Sequence, residues 1–246
     1  MPVLSGEGLI LMKKAGLILR KTLDYLAEEI RAGISTKKIE SLAAEFIASR
    51  GGECAFLGYK GYPAAVCTSI NSVVVHGIPD ENDILKPGDI ISVDVGVRRG
   101  GYYADAARTY AVGRIRPDSE RLMKITREAL YKGIEKAVSG NRIGDISWAV
   151  QSHIEPAGFS VVKAFVGHGI GANIHEEPEV PNFGQPGRGM LLTDGMAIAI
   201  EPMVNAGTNE VRILEDGWTA VTVDGERSAH FEHTIIINGK NPEIVT

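Results

Sequence analysis

LKPGDIISVD, residues 85 to 94, has a counterpart in LTDGMAIAIE, residues 192 to 201. A shift of 107 lays Gly88 on Gly195, Ile91 on Ile198 and Asp94 on Glu201. Each segment reads as a turn glycine, then an apolar run that ends in an acid, the pattern of a buried strand. The same shift holds upstream. Residues 9 to 31 carry Met12, Ala15, Leu19, Leu23, Leu26 and Ile30 at helical spacing, and Gly33 stops that helix. Residues 35 to 50 predict a second helix, with Ser35 as its cap, Ile39, Leu42, Phe46 and Ile47 as its apolar face and Gly51-Gly52 at its end. Residues 119 to 138 and 143 to 157 repeat the pair and end at Gly140 and Gly158. One register across two helices and a strand predicts two duplicated halves, about 9–112 and 116–240, in a single domain over 1–246. A repeat this long is no solenoid unit. The halves are expected to close face to face and bring Asp94 and Glu201 to a shared centre.

The acids in these strands need explaining. DIISVDVGVRRGGYYADAARTY, 89 to 110, has two β-prone runs around RRGG and reads as a hairpin. With the turn centred between Arg99 and Gly100, Val97 faces Tyr102 and Asp94 faces Asp105. Two ionised carboxylates about 5 Å apart repel by about 3 kcal/mol at an effective dielectric near 20. A slipped register or a protonated aspartate would also relieve this. MAIAIEPMV buries Glu201 and SAHFEHTIIIN buries Glu232, again with no cationic neighbour in sequence. In that last strand a period of two puts His230, Glu232 and Thr234 on one face. Between them, VRILEDGWTAVTV predicts a hairpin turning at Asp216-Gly217. Buried unpaired carboxylates are costly. Two divalent cations would compensate four of them.

GHGIGANIHEEPEVPN, 167 to 182, adds His168 and His175 among glycines 167, 169 and 171. His168 can supply one nitrogen ligand, and the glycines would let the backbone approach metal and substrate. Four carboxylates and one imidazole do not make a structural zinc site, which prefers sulfur and nitrogen. The set suits Mn, Fe or Co, with Zn also accommodated.

Bulk properties narrow the field. The 246 residues are 44% apolar and 23% charged, which leaves no case for disorder. A net charge of −5 argues against nucleic acid as the main partner, and Arg98, Arg99, Arg114 and Arg116 read as solvated loop ends. Cys54 and Cys67 have no paired spacing, so neither a disulfide framework nor a zinc knuckle is expected. No secretory signal is read in MPVLSGEGLILMKKAG, and no run is long enough to span a membrane. A cytoplasmic setting is expected.

Taken together, NSVVVHGIP (71 to 79), SVDVG (92 to 96), YADAART (103 to 109), GHGIGANIHEEP (167 to 178), AIEPM (199 to 203) and AHFEHT (229 to 234) resemble the type I methionine aminopeptidases, in order and spacing, from about residue 9 to 245. The resemblance implies the α+β pita-bread fold, two pseudo-symmetric halves of helices and antiparallel sheet around a dinuclear metal site. It implies removal of the initiator methionine by a metal-held hydroxide, with a small second residue preferred. Carried over by position, the metal ligands are Asp94, Asp105, His168, Glu201 and Glu232, with Asp105 and Glu232 bridging. Glu201 is also the expected proton acceptor, His76 the histidine near the substrate amine and leaving peptide, and His175 the one at the scissile carbonyl. Tyr59, Tyr62, Cys67 and Trp218 match the methionine pocket. From the residues alone, His76, His175 and these pocket positions fit ordinary structural roles as well. His153, His230 and His233 are read as structural.

The chain departs from many bacterial members at Phe56 and Lys60, where they carry cysteine and histidine, and at Ile174, where they carry an aromatic ring. The implied cofactors are two ions of Co, Mn, Fe or Zn. The implied partners are N-terminal methionine peptides and nascent chains, with transient ribosome contact, no DNA and no membrane, and the chain a monomer. Its own Met1-Pro2 start has the small second residue of a substrate. The alternatives are an Xaa-Pro aminopeptidase or prolidase-like enzyme and a non-catalytic peptide-binding relative.

Overall fold

The computed structural model describes Leu4 and residues 6 to 246, so the reading of Met1-Pro2 as a substrate lies outside the described residues. The N-terminal stripe forms α1 (Gly6–Glu29), and Ser35 caps α2 (Thr36–Ser49) by accepting the Lys38 amide hydrogen. Then come β1 (Glu53–Cys54), β2 (Cys67–Ile70), β3 (Val73–Val75), β4 (Ile90–Arg99) and β5 (Tyr102–Ala111). The second half opens with α3 (Pro117–Lys136) and α4 (Ile143–Ile154), followed by β6 (Ser160–Val161), β7 (Gly167–Gly169) and β8 (Glu176–Val180). It closes with β9 (Ala197–Ile200), β10 (Met203–Asn205), β11 (Val211–Ile213), β12 (Ala220–Thr222), β13 (Ser228–His230), β14 (His233–Ile236) and β15 (Glu243–Ile244). The fourth helix is shorter than expected. Pro156 has no amide hydrogen to continue it, and the chain passes into a 3-10 turn at Glu155–Ala157.

The 107-residue shift reappears in the backbone. Gly33 and Gly140 sit at φ +90° and +93°, where glycine costs least, and their N–H groups donate to the carbonyls of Leu85 (2.8 Å) and Leu192 (3.0 Å). Isolated bridges join Ser35 to Ile84 and Arg142 to Leu191, pairs related by the same shift.

In the first half β4 pairs antiparallel with β5 along its length, and with β2 and β1 on its other edge. In the second half five antiparallel strands run β15-β14-β9-β7-β8. Alternation divides each strand between two jobs. Ile91, Val93, Val95 and Val97 pack under α1 and α2 against Leu19, Leu23, Leu26 and Ile47. Ile198, Ile200 and Ile235 pack under α3 and α4 against Leu130, Ile134 and Ile146. The opposite parity, Ser92, Asp94, Asp105 and Thr109, turns to the other half. There the sheets lock together. The Asp105 N–H donates to Thr234 Oγ1 (2.9 Å), whose hydroxyl donates back to the Asp105 carbonyl (2.8 Å). The His230 N–H donates to Thr109 Oγ1 (3.0 Å), whose hydroxyl donates to the His230 carbonyl (2.8 Å).

The last strand differs from expectation. It is split, with β13 ending at His230 opposite Met203 and β14 starting at His233 opposite Ile200. Pro202 interrupts the partner strand, since it has no N–H to offer a continuous ladder. The break frees the Glu232 N–H to donate to the Ala107 carbonyl of the first half (3.0 Å). The hairpin read near Asp216-Gly217 forms as β11 and β12, with Gly217 at φ +78°. Among the described residues no helix is long and apolar enough to cross a membrane.

Candidate metal centre and substrate pocket

The hairpin carrying the two aspartates has a different register from the one expected. Arg99 faces Tyr102, Asp94 faces Ala107 and Gly96 faces Asp105, so the turn is Gly100-Gly101. Both glycines hold positive φ, which Arg99 could adopt only with strain. The slip is two residues, which preserves the face. Asp94 and Asp105 therefore sit as diagonal neighbours on the same side instead of directly opposite.

His168 lies inside the five-stranded sheet, on β7 between β8 and β9. Two of its glycines have a structural task there. A Cβ on Gly167 would enter the Ala199 carbonyl oxygen, and one on Gly169 the Glu177 carbonyl oxygen. Gly167 and Gly169 admit neighbouring strands, a demand that the local sequence does not show.

Around this centre the lone pairs converge. One ligand atom each from Asp105, His168 and Glu232 lies within 4.8 Å of the others, and all three residues are buried. His168 Nδ1 lies 2.9 Å from the Gly169 carbonyl, which only accepts, so Nδ1 carries the hydrogen and Nε2 is a bare lone pair. That lone pair faces Glu201 Oε1 at 3.6 Å and Asp105 Oδ2 at 3.9 Å. Acceptors facing acceptors need a proton or a cation between them. Asp94 Oδ1, Asp105 Oδ1 and Glu232 Oε1 are enclosed and have no hydrogen-bond partner among the described residues. No lysine or arginine pairs with these acids among the described residues.

The electrostatics agree. Burial raises all four carboxyls, Asp94 and Glu201 to about 7 and Asp105 and Glu232 well above their ordinary values. After burial, the charge of Asp94 raises Asp105, and that of Asp105 raises Glu232. Without cations these groups cannot all ionise near neutral pH. Oxygen-rich, with one imidazole in its ligating tautomer, the cluster fits divalent ions.

The two expected catalytic histidines lie beside the same centre, His76 near His230 and His175 near His168. His76 follows β3 at φ +60°, a strained position for a residue with a Cβ, and its ring stands edge-on to Phe165 at 5.3 Å. Burial, then His230, lowers its pKa to about 4. His175 has its ring 4.2 Å from that of His168 and its Nδ1 2.9 Å from the Tyr59 hydroxyl. Burial, then His168, lowers it to about 3. Both imidazoles are neutral at pH 7.

Tyr59, Tyr62, Cys67 and Trp218 come together in one apolar cluster with Phe56, Ala64 and Ile174. The Tyr62 hydroxyl donates to the Gly77 carbonyl at 2.9 Å, and its ring meets Trp218 edge-on at 5.1 Å. Cys67 is the cross-strand partner of Asp94, so the pocket opens directly onto the acid cluster. Gly96 makes room for it. A Cβ there would meet Phe56 at 2.7 Å and Ile174 at 3.1 Å.

His230 was read as structural, yet its Nε2 lies 3.7 Å from Glu201 Oε2. The signal was its shared parity with Glu232. His153 pairs with Glu128, and His233 meets Thr246 and Tyr131, away from the cluster.

The chain matches the family described as Metallopeptidase family M24 over residues 10–239. It is 52% identical to a methionine aminopeptidase from Clostridium perfringens, over 100% of this chain and 99% of that one. It is also similar to the crystal structure of a methionine aminopeptidase from Thermotoga maritima, with a TM-score of 0.99, 44% identity and coverage of 100% and 99%. An Xaa-Pro dipeptidase from Bacillus anthracis shares the fold at a TM-score of 0.79 and 21% identity, with 99% of this chain and 61% of that one covered.

Proposed function

Because this chain belongs to metallopeptidase family M24, we propose that it releases the N-terminal methionine from polypeptides, using Asp94, Asp105, His168, Glu201 and Glu232 to hold two divalent ions. The observation that carries this reading is the junction of pocket and acid cluster at the Cys67–Asp94 pair. A thioether side chain seated among Tyr59, Tyr62, Cys67 and Trp218 leaves its own backbone beside the carboxylates.

When bound, divalent ions supply Lewis-acid polarisation of the scissile carbonyl and a hydroxide nucleophile near neutral pH. The rest falls to the chain. The acids attract a free α-amine, which restricts cleavage to the first peptide bond. Glu201 accepts the nucleophile's proton and passes it on. His175, with Nδ1 accepting from the Tyr59 hydroxyl, keeps its hydrogen on Nε2 and donates it to the carbonyl oxygen as charge develops there. His76, neutral and held by Phe165, assists the departing amine. A small second residue is preferred. Nascent chains in the cytoplasm are the substrate pool, and Mn, Fe, Co and Zn all suit the donor set.

The test is release of free methionine from Met-Ala-Ser by protein reconstituted anaerobically with Mn, Fe, Co or Zn in turn, beside Xaa-Pro peptides. Methionine release with every Xaa-Pro peptide left intact is expected. Faster Xaa-Pro cleavage, or no methionine release with any metal, overturns the reading.

A further inference from the structure

Glu201 lies between two imidazoles. His168 Nε2 is 3.6 Å from Oε1, and His230 Nε2 is 3.7 Å from Oε2. The two rings are not equivalent. His168 has committed its hydrogen to the Gly169 carbonyl and presents a lone pair. His230 is 2% exposed, and its Nε2 is enclosed with no partner among the described residues. Its main chain is fixed on both sides. Thr109 Oγ1 accepts its N–H and donates to its carbonyl, Ser92 Oγ sits 2.8 Å from Thr109 Oγ1, and Met203 is its cross-strand partner. The main chain therefore holds the buried ring beside Glu201. A lone pair on Nε2 would repel the carboxylate, so the stable tautomer carries hydrogen there.

We propose that His230 is a positioning residue that donates its Nε2–H to Glu201 Oε2 and so directs Oε1 to the side of His168. Closing the gap to hydrogen-bond length takes a shift of roughly 0.7 Å, within reach of a carboxylate rotation. A carboxylate oxygen has two lone-pair directions, so the bond leaves one on Oε2 free for a proton. The proposal rests on the reading of Glu201 as both ligand and base. His230 stands on Glu201 Oε2, across the carboxylate from the His168 lone pair at Oε1, which favours donor over ligand.

The experiment compares His230→Leu with His230→Gln, whose amide keeps an N–H at similar reach. Cobalt affinity is measured by calorimetry, cobalt coordination by visible absorption, and kcat and KM on Met-Ala-Ser. We expect H230L to lose about 10- to 100-fold in both cobalt affinity and kcat, and H230Q to recover most of it. KM should change by less than about threefold, because the pocket is untouched. Thermal unfolding of the metal-free variants checks the fold, and H230M serves for the comparison if H230L does not fold. Wild-type kcat and affinity in the apolar variant overturn the proposal. So does loss of a nitrogen ligand from the cobalt spectrum, which would make His230 a ligand itself. If wild-type protein binds cobalt and releases no methionine, the functional reading fails, while the affinity comparison still decides the role of His230.

Discussion

Stripping the metal should make this protein lose stability as the solution turns alkaline. Asp105 and Glu232 hold protons in the folded metal-free state well above the pH at which the unfolded chain has released them. A carboxyl whose folded pKa is raised gives its stability at low pH and loses it as pH rises. The histidines work in the opposite sense. His76, His175, His230 and His233 are lowered by burial, so they cost stability as pH falls below about 6.5. The two effects oppose each other in acid. Between about pH 7.5 and 8.5 the histidines are neutral in both states, and the acids set the slope.

Each proton that the folded protein keeps and the unfolded chain lacks costs about 1.4 kcal/mol per pH unit. Asp105 and Glu232, both raised well above their ordinary values by burial, are placed to keep such protons, and each one held from about pH 7.5 to 8.5 removes about 1.4 kcal/mol. Asp94 and Glu201, both near 7, add a smaller share at the start of the window. Against a total of about 5–15 kcal/mol, that is a large fraction. Urea unfolding of EDTA-treated protein, followed by far-UV circular dichroism at half-unit steps of pH, reads it directly. Metal-loaded protein should lack the slope, and loading near pH 7 should release protons in calorimetry across buffers of different ionisation enthalpy. A metal-free stability that is flat or rising from pH 7.5 to 8.5 would mean the four acids are not crowded as described.

Four further outcomes follow from the same geometry. Glu201→Gln should lower kcat at least about 100-fold and weaken metal binding, as read by turnover and elemental analysis. His76→Ala should cost about 10- to 100-fold in kcat with the metal count unchanged, and loss of metal would make His76 a ligand. Trp218→Ala should raise KM for methionyl peptides about tenfold by opening the wall against Tyr62, with kcat nearly preserved. Gly169→Ala forces a Cβ into the Glu177 carbonyl and should destabilise the fold by about 3 kcal/mol in urea unfolding.

Periodicity and stop residues made the helices legible, and the duplication made their arrangement legible. Gly33 and Gly140 mark equivalent turns because both must reach a left-handed conformation to bond Leu85 and Leu192. The register of the aspartate hairpin was not legible. RRGG admits two turn positions, and a two-residue slip costs no change of face. Which acids share a face therefore survived an error in which residues touch. The split between His230 and His233 was hidden for another reason. It depends on Pro202, which lies far away in sequence and interrupts the partner strand.

The glycines around His168 show where local reading fails. Within GHGIG they suggest a loop prepared for a ligand, but the atoms that exclude a side chain belong to Ala199 and Glu177 in neighbouring strands. Parity carries further than local composition. His230 shares its face with Glu232, and the fold brings that face against Asp105 and Thr109. A histidine in phase with a buried acid, in a sheet whose opposite face packs on helices, has nowhere to point except the centre. The same reasoning separates it from His233. Only one residue from Glu232 and therefore out of phase with it, His233 turns to Thr246 and Tyr131 and takes no part in the cluster.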